Sequence, residues 1–258
     1  MTISFYKYQG TGNDFIIIDN RSKVFPKNDT DFVKLLCNRR LGIGADGLIL
    51  LENDTESDFE MVYYNADGRL GSMCGNGGRC IVAFAKYLDI IGDITTFKAV
   101  DGMHSAKVNN KEVSLRMKDV SEIALKHQYF FLDTGSPHHV QLVSDLETLD
   151  VNKEGAKIRY GLYGAKGSNI NFVEQKGPNQ FFVRTYERGV ENETLSCGTG
   201  VTAVALSMYS KGATKDHNVQ ILTRGGALSV SFKVRDSSFI DISLKGPAKQ
   251  VFKGKIEV

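Results

Sequence analysis

Two of the four cysteines carry the chemistry that this sequence offers. Cys74 opens the run Cys74-Gly75-Asn76-Gly77, Cys197 opens Cys197-Gly198-Thr199-Gly200, and each run leads into an apolar-periodic stretch of helical spacing. A cysteine so placed lies at or beside a helix N-terminus. The positive helix end and its unpaired N–H groups favour the thiolate, moving a free thiol pKa of about 8.5 toward neutrality. The same N–H groups can bind a carboxylate, and the glycines let the backbone come close to a ligand. One short motif thus supplies a base and an anchor. Two copies supply a base on one face of a carbon and an acid on the other, which is what inverting a stereocentre requires. Thiolate and thiol would exchange roles in the reverse direction. The α-hydrogen of an amino acid is very weakly acidic, so the carbanionic transition state needs a pyridoxal electron sink or fixed hydrogen bonds around it. No lysine carries a recognisable pyridoxal motif, which favours a route without cofactor.

Cys37 and Cys80 fall outside such contexts and read as small buried hydrophobes. The cysteines are separated by 36, 5 and 116 residues, spacings that fit no zinc pattern, and no histidine pair stands beside them. A metal site is not expected. His104 and His217 have no partner pattern and read as surface residues, and Arg79 reads as a brace for the Cys74 loop.

The elements that must position the two thiols repeat at one offset. Thr11-Gly12 recurs as Thr134-Gly135, Phe59 as Phe182, Tyr63 as Tyr186, Cys74-Gly75 as Cys197-Gly198 and Gly102 as Gly225, each 123 residues later. Each copy reads as α+β. Strands are expected at 3–8, 15–19, 48–51, 59–64, 106–108 and 113–116, and again at 129–132, 139–143, 170–173, 181–186, 227–234 and 239–244. One helix per copy follows the Cys-Gly run, in GGRCIVAFAKYL and GTGVTAVALSMY. An earlier helix is expected over Asp31–Arg39, capped by Asp29 or Thr30. The resulting expectation is an α+β fold of two pseudo-symmetric domains from an internal duplication. Each is a mixed or antiparallel sheet wrapped around a central helix, with the active site in the interdomain cleft, where Cys74 and Cys197 face one another. The first domain spans residues 1–120, joined by a returning strand at 250–258. The second spans 121–249, the join falling near 118–128.

Composition narrows the partners. With 258 residues, 41% hydrophobic and 24% charged, the chain has the make-up of a globular protein. A net charge of +2, with basic and acidic residues intermixed, argues against a nucleic-acid or membrane surface. No apolar run matches a membrane span and the N-terminal segment lacks signal-peptide character, so a cytoplasmic location with reduced thiols is expected. From the residues alone two other classes stay open. A two-domain amino-acid binding protein would use the same helix ends without needing thiols, and a thiol oxidoreductase would use two cysteines for electron transfer.

Taken together, Lys7-Tyr8-Gln9-Gly10-Thr11-Gly12-Asn13-Asp14-Phe15, Gly42-Ile43-Gly44-Ala45-Asp46-Gly47, Asn65-Ala66-Asp67-Gly68, Met73-Cys74-Gly75-Asn76-Gly77-Gly78-Arg79-Cys80, Tyr186-Glu187-Arg188-Gly189 and Cys197-Gly198-Thr199-Gly200 resemble the diaminopimelate epimerase family, in family order over nearly the whole chain. Proline racemase-type enzymes share the paired cysteines but typically carry His where Asn76 stands, and phenazine-biosynthesis-type relatives lack the cysteine pair. The resemblance implies interconversion of LL- and meso-diaminopimelate, without pyridoxal or metal, in bacterial lysine and cell-wall precursor synthesis, by a homodimer. It implies Cys74 and Cys197 as catalytic, with Cys74 the base for the LL form, and His138 and Glu187 assisting the thiols. It implies Asn13, Asn65, Ser136, Asn169, Glu187 and Arg188 as substrate contacts, and Gly75-Asn76 and Gly198-Thr199 as backbone anchors. Three positions depart from the family pattern. Ser136 stands where many members have Asn, Gly47 replaces a Gln used near the substrate, and the Val190–Glu193 segment is one residue longer than usual.

Overall fold

The computed structural model describes residues 2–110 and 112–257. The chain divides into two compact units, one running to Leu115 and resuming at Gly246, the other covering Arg116–Lys245.

The first unit contains β1 (Thr2–Gly10), β2 (Asn13–Asp19), α1 (Thr30–Cys37), β3 (Gly47–Glu52), β4 (Phe59–Asn65), α2 (Gly75–Tyr87), β5 (Ile94–Ala99), β6 (Gly102–Asn109) and β7 (Glu112–Arg116). β1 and β2 are antiparallel, β2 and β3 parallel, β3 and β4 antiparallel, β4 and β5 parallel, and β5, β6 and β7 antiparallel in turn. Ile16, Ile17, Ile18, Leu48, Ile49 and Leu50 are all fully buried, because this part of the sheet is covered on both faces. Ile16, Ile18, Leu48 and Leu50 share a core with Val33 and Leu36 of α1. The alternate face meets α2, where Ile49 and Met61 close on Gly77. Helix α1 begins one residue earlier than expected and stops two earlier. Asp29 caps it by accepting the Phe32 N–H at 2.8 Å.

The second unit contains β8 (Ala124–Leu125), β9 (Phe130–Asp133), β10 (Pro137–Leu142), α3 (Val151–Gly161), β11 (Asn169–Gly177), β12 (Gln180–Glu187), β13 (Asn192–Thr194), α4 (Gly198–Ser210), β14 (Asn218–Thr223), β15 (Gly226–Arg235) and β16 (Ser238–Pro247). From β9 onward the pairings run antiparallel, parallel, antiparallel, parallel, antiparallel, antiparallel through β10, β11, β12, β14, β15 and β16, the sequence of the first unit. Helices α2 and α4 begin and end 123 residues apart (75 to 198, 87 to 210). The duplication is therefore one of topology as well as of sequence, giving a two-unit α+β fold in which each unit has a sheet around a central helix.

The last strand, β17 (Lys249–Glu257), pairs antiparallel with β1 from Thr2↔Glu257 to Gln9↔Lys249. Val258, the end of the strand expected there, lies outside the described residues. Among the described residues no helix is long and apolar enough to cross a membrane.

Candidate active site

Cys74 is the N-cap residue of α2, with extended backbone at φ −115° and ψ 146°. Its Sγ accepts the Gly77 N–H at 3.2 Å, so the sulfur takes the place of a capping oxygen and one of the free donors of the first turn points at it. The neighbouring Asn76 is buried. Its Nδ2 donates to Asn13 Oδ1 at 3.3 Å, and its Oδ1 accepts from Arg79 Nη2 at 3.0 Å. Arg79 also reaches Thr11 Oγ1 and the Gly75 carbonyl, both at 3.1 Å. This guanidinium is fully buried, and burial pulls its pKa down to about 10, which leaves it charged at neutral pH. Arg79 is thus the brace of the Cys74 turn. Arg79→Met keeps the volume but leaves three acceptors without their charged donor. It is expected to lower unfolding free energy by about 3 kcal/mol, seen as a lower urea midpoint. An unchanged midpoint would remove Arg79 from this role.

Asn13 is held from the other side. Its Nδ2 donates to Asp46 Oδ2 at 2.6 Å, Asp46 pairs with Arg39 at 2.8 Å, and Arg39 and Lys7 each pair with Asp14 at 2.7 Å. Burial raises the Asp14 pKa, but the hydrogen bonds from Arg39 and Lys7 outweigh it and bring the carboxyl down to about 2. Asn65 is exposed at the end of β4, in a turn where its N–H donates to the Arg69 carbonyl at 2.9 Å. Beside it the Tyr63 ring fills the space in front of Gly47: a Cβ built there would lie 2.5 Å from Tyr63 Cε2. The Tyr63 ring leaves no room for a side chain at that position. Burial pushes the Cys37 and Cys80 thiols up to about 12.

Cys197 is the N-cap residue of α4 at φ −121° and ψ 113°, buried, with Sγ 3.5 Å from Thr199 Oγ1. The first turn of α4 repeats the bracing of α2 with smaller groups. Thr202 Oγ1 donates to the Gly198 carbonyl at 3.1 Å, as Arg79 does to Gly75, and Thr134 Oγ1 donates to the Thr199 carbonyl at 2.9 Å. Both donors stand 123 residues after Arg79 and Thr11. Ser136 is half-buried, and its carbonyl accepts the Thr134 N–H at 3.2 Å.

His138 is fully buried on β10, and burial, with a smaller contribution from the Arg188 charge, lowers its pKa to about 3; the ring is neutral at physiological pH. Asn169 accepts the Arg188 N–H at 2.9 Å and donates to the Pro137 carbonyl at 3.3 Å. Glu187 Oε2 accepts from Thr194 Oγ1 at 2.9 Å, and the exposed Arg188 guanidinium donates to the Lys166 carbonyl at 3.0 Å. The Val190–Glu193 segment makes a tight reversal in which Glu191 takes φ 56°. Glu191 accepts from Gly189 N–H at 3.1 Å and Tyr186 OH at 3.2 Å, and Arg159 of α3 reaches it at 3.2 Å.

Within the first unit the expected residues Cys74, Gly75, Asn76 and Asn13 form one hydrogen-bonded cluster, with Asn65 beside Tyr63. Within the second, Cys197, Gly198 and Thr199 are tied to Thr134, and Asn169 is tied to Arg188. Contributors not expected from the sequence are Thr11, Thr134 and Thr202 as braces, Arg159, and Asn171, which contacts His138. Asn171 had a usable signal, because it lies two residues after Asn169 on one strand and so shares its face. His104 is not a free surface residue, since it stacks on Phe97 at 5.3 Å and meets Asp101 at 3.0 Å. Among the described residues, no group of three or more His, Cys, Asp or Glu is gathered for a metal ion.

The chain matches a family model described as diaminopimelate epimerase over residues 5–119 and 130–251. A protein of Flavobacterium psychrophilum named diaminopimelate epimerase is 60% identical over 253 residues, covering 97% of this chain and 99% of that one. Its namesake in Chlorobaculum tepidum is 43% identical over 258 residues, covering 96% and 98%. Among solved structures, a Bacillus anthracis phenazine biosynthesis protein of the PhzF family is similar in fold at TM-score 0.78 and 13% identity, with both chains covered completely. An Agrobacterium vitis hydroxyproline epimerase is similar at TM-score 0.70 and 12% identity, covering 99% of this chain and 92% of its own.

Proposed function

This chain belongs to the diaminopimelate epimerase family, and from that premise we propose that it interconverts LL- and meso-diaminopimelate by proton transfer between two thiols, without pyridoxal or metal. The observation that carries the reading is that Cys74 and Cys197 cap the N-termini of equivalent helices 123 residues apart. A thiolate removes the α-proton from one face, and the other thiol delivers a proton to the opposite face. No net charge or proton is gained by the enzyme, and the two sulfurs end with exchanged protonation states. Cys74 is the base for the LL form.

The substrate carboxylate at the reacting carbon gains negative charge as the proton leaves. The N–H groups of Gly75-Asn76 and Gly198-Thr199, at the positive ends of α2 and α4, are the donors for it. The Arg79 and Thr202 braces hold those turns, so the donors need little reorganisation when charge develops. Asn13, Asn65, Ser136, Asn169, Glu187 and Arg188 supply amides, a hydroxyl, a carboxylate and a guanidinium, the groups needed to recognise a second amino-acid end. His138 and Glu187 support the thiols. The enzyme works as a homodimer in the cytoplasm, in lysine and cell-wall precursor synthesis.

Incubating freshly reduced enzyme with LL-diaminopimelate in D₂O is expected to place deuterium at one α-carbon and yield meso product. Absence of both exchange and meso product would overturn the reading. Exchange with proline or 4-hydroxyproline instead would move the enzyme to another substrate of the same chemistry.

A further inference from the structure

Asn171 is fully buried on β11, and each of its polar contacts has a fixed character. Its Nδ2 donates to the His139 carbonyl at 2.8 Å and lies 3.2 Å from Nδ1 of His138, while its Oδ1 accepts from Thr185 Oγ1 at 3.0 Å. A backbone carbonyl only accepts, so the NH₂ group must face His139 and the amide cannot be turned over. The second amide proton then points at His138 Nδ1, which must present its lone pair. A neutral imidazole carries one N–H, and here it is on Nε2. That Nε2 is buried and has no hydrogen-bond partner. The ring lies at the start of α4: a Cβ built on Gly200 would be 3.4 Å from His138 Cε1 and 3.4 Å from Cys197 Cβ.

We propose that Asn171 is a positioning residue that fixes His138 as the Nε2–H tautomer, so that His138 serves the Cys197 end of the reaction as a hydrogen-bond donor and not as a proton acceptor. The inference rests on the reading above to the extent that Cys197 is one of the two proton-transfer groups. A base at this place would compete with Cys197 for the substrate proton. A neutral donor instead stabilises negative charge on the sulfur and leaves the proton count of the thiol pair unchanged. The buried Nε2–H is a donor held ready for an anionic acceptor, because burial without a partner is unfavourable until that charge appears.

Long-range ¹H–¹⁵N spectra of the ¹⁵N-histidine-labelled full chain test this directly, with the His138 signals assigned by their loss in His138→Gln. The expected result is a bare Nδ1 and a protonated Nε2 at neutral pH. A proton on Nδ1, or an imidazolium, overturns the proposal. Asn171→Asp places an acceptor opposite Nδ1 and is expected to invert the tautomer, with kcat falling about tenfold to hundredfold and KM changing much less. An inverted tautomer with unchanged kcat also overturns it. Should Asn171→Asp not fold, Asn171→Leu removes the lock without adding charge; there a mixture of tautomers with reduced kcat supports the proposal, and an unmixed Nε2–H tautomer overturns it. Failure of wild-type enzyme to exchange the α-proton would sink the epimerase reading while the tautomer result still stood on its own.

Discussion

Enzyme carrying Cys197→Ala is expected to lose LL/meso interconversion by about 10³- to 10⁴-fold, and Cys74→Ala by a similar factor. On the proposed mechanism, each variant loses the thiol assigned to one face of the α-carbon. The double variant is expected to be hardly worse than either single one, because the two thiols act as one device. Fold should survive, since the Cys74 thiol accepts a single capping N–H at 3.2 Å within its own helix turn and Cys197 makes no side-chain cap hydrogen bond. Polarimetric or coupled assays, with circular dichroism as the control for folding, make the measurement. Retained interconversion in either variant would remove that cysteine from the mechanism.

Gly200→Ala is expected to have the second largest effect. A Cβ there would fall 2.4 Å from Asn171 Oδ1, far inside contact distance. Asn171 has little freedom to retreat, with its carbonyl oxygen bound to Thr185 and its NH₂ bound to the backbone of β10. Either the α4 turn shifts away from Cys197 or the amide loses its partners. The expected cost is about 1–3 kcal/mol of stability from overpacking, with kcat falling because His138 loses its fixed orientation. Gly161→Ala is the control, since nothing lies within 4 Å of the added Cβ. If Gly200→Ala matches that control in urea midpoint and in kcat, the packing argument fails.

Much of the fold was legible because the duplication left marks at fixed spacing. The Cys-Gly runs located α2 and α4, and apolar runs such as FIIID and GLILL located strands buried on both faces. Helix α3 was not legible. Its sequence, VNKEGAKIRYG, is poor in apolar residues and carries Gly155 in the middle, which reads as weak helix propensity. The structure gives the reason for that glycine: a Cβ would lie 2.4 Å from Tyr186 Cβ, so helix and sheet meet there at backbone range. The repeat offset itself would have found α3, because α1 carried forward by 123 residues falls on 153–160, inside Val151–Gly161. Arg79 was legible as a brace, but its counterpart Thr202 was hidden for another reason. Arg79 and Thr202 occupy equivalent places with no chemical likeness, and only the shared target, the carbonyl one residue past the cysteine, relates them.

That substitution of a hydroxyl by a guanidinium has a consequence for the cycle as a whole. A perfect duplication would make the two ways of sharing one proton between two sulfurs equal in energy, and the molecule would have no preferred end. A permanent positive charge buried in the helix under Cys74, against a neutral group under Cys197, lifts that degeneracy. On the proposed mechanism, negative charge is expected to favour the Cys74 end before any ligand arrives. Two halves that share a blueprint thus have a polarity, more like the poles of a cell than the pans of a balance.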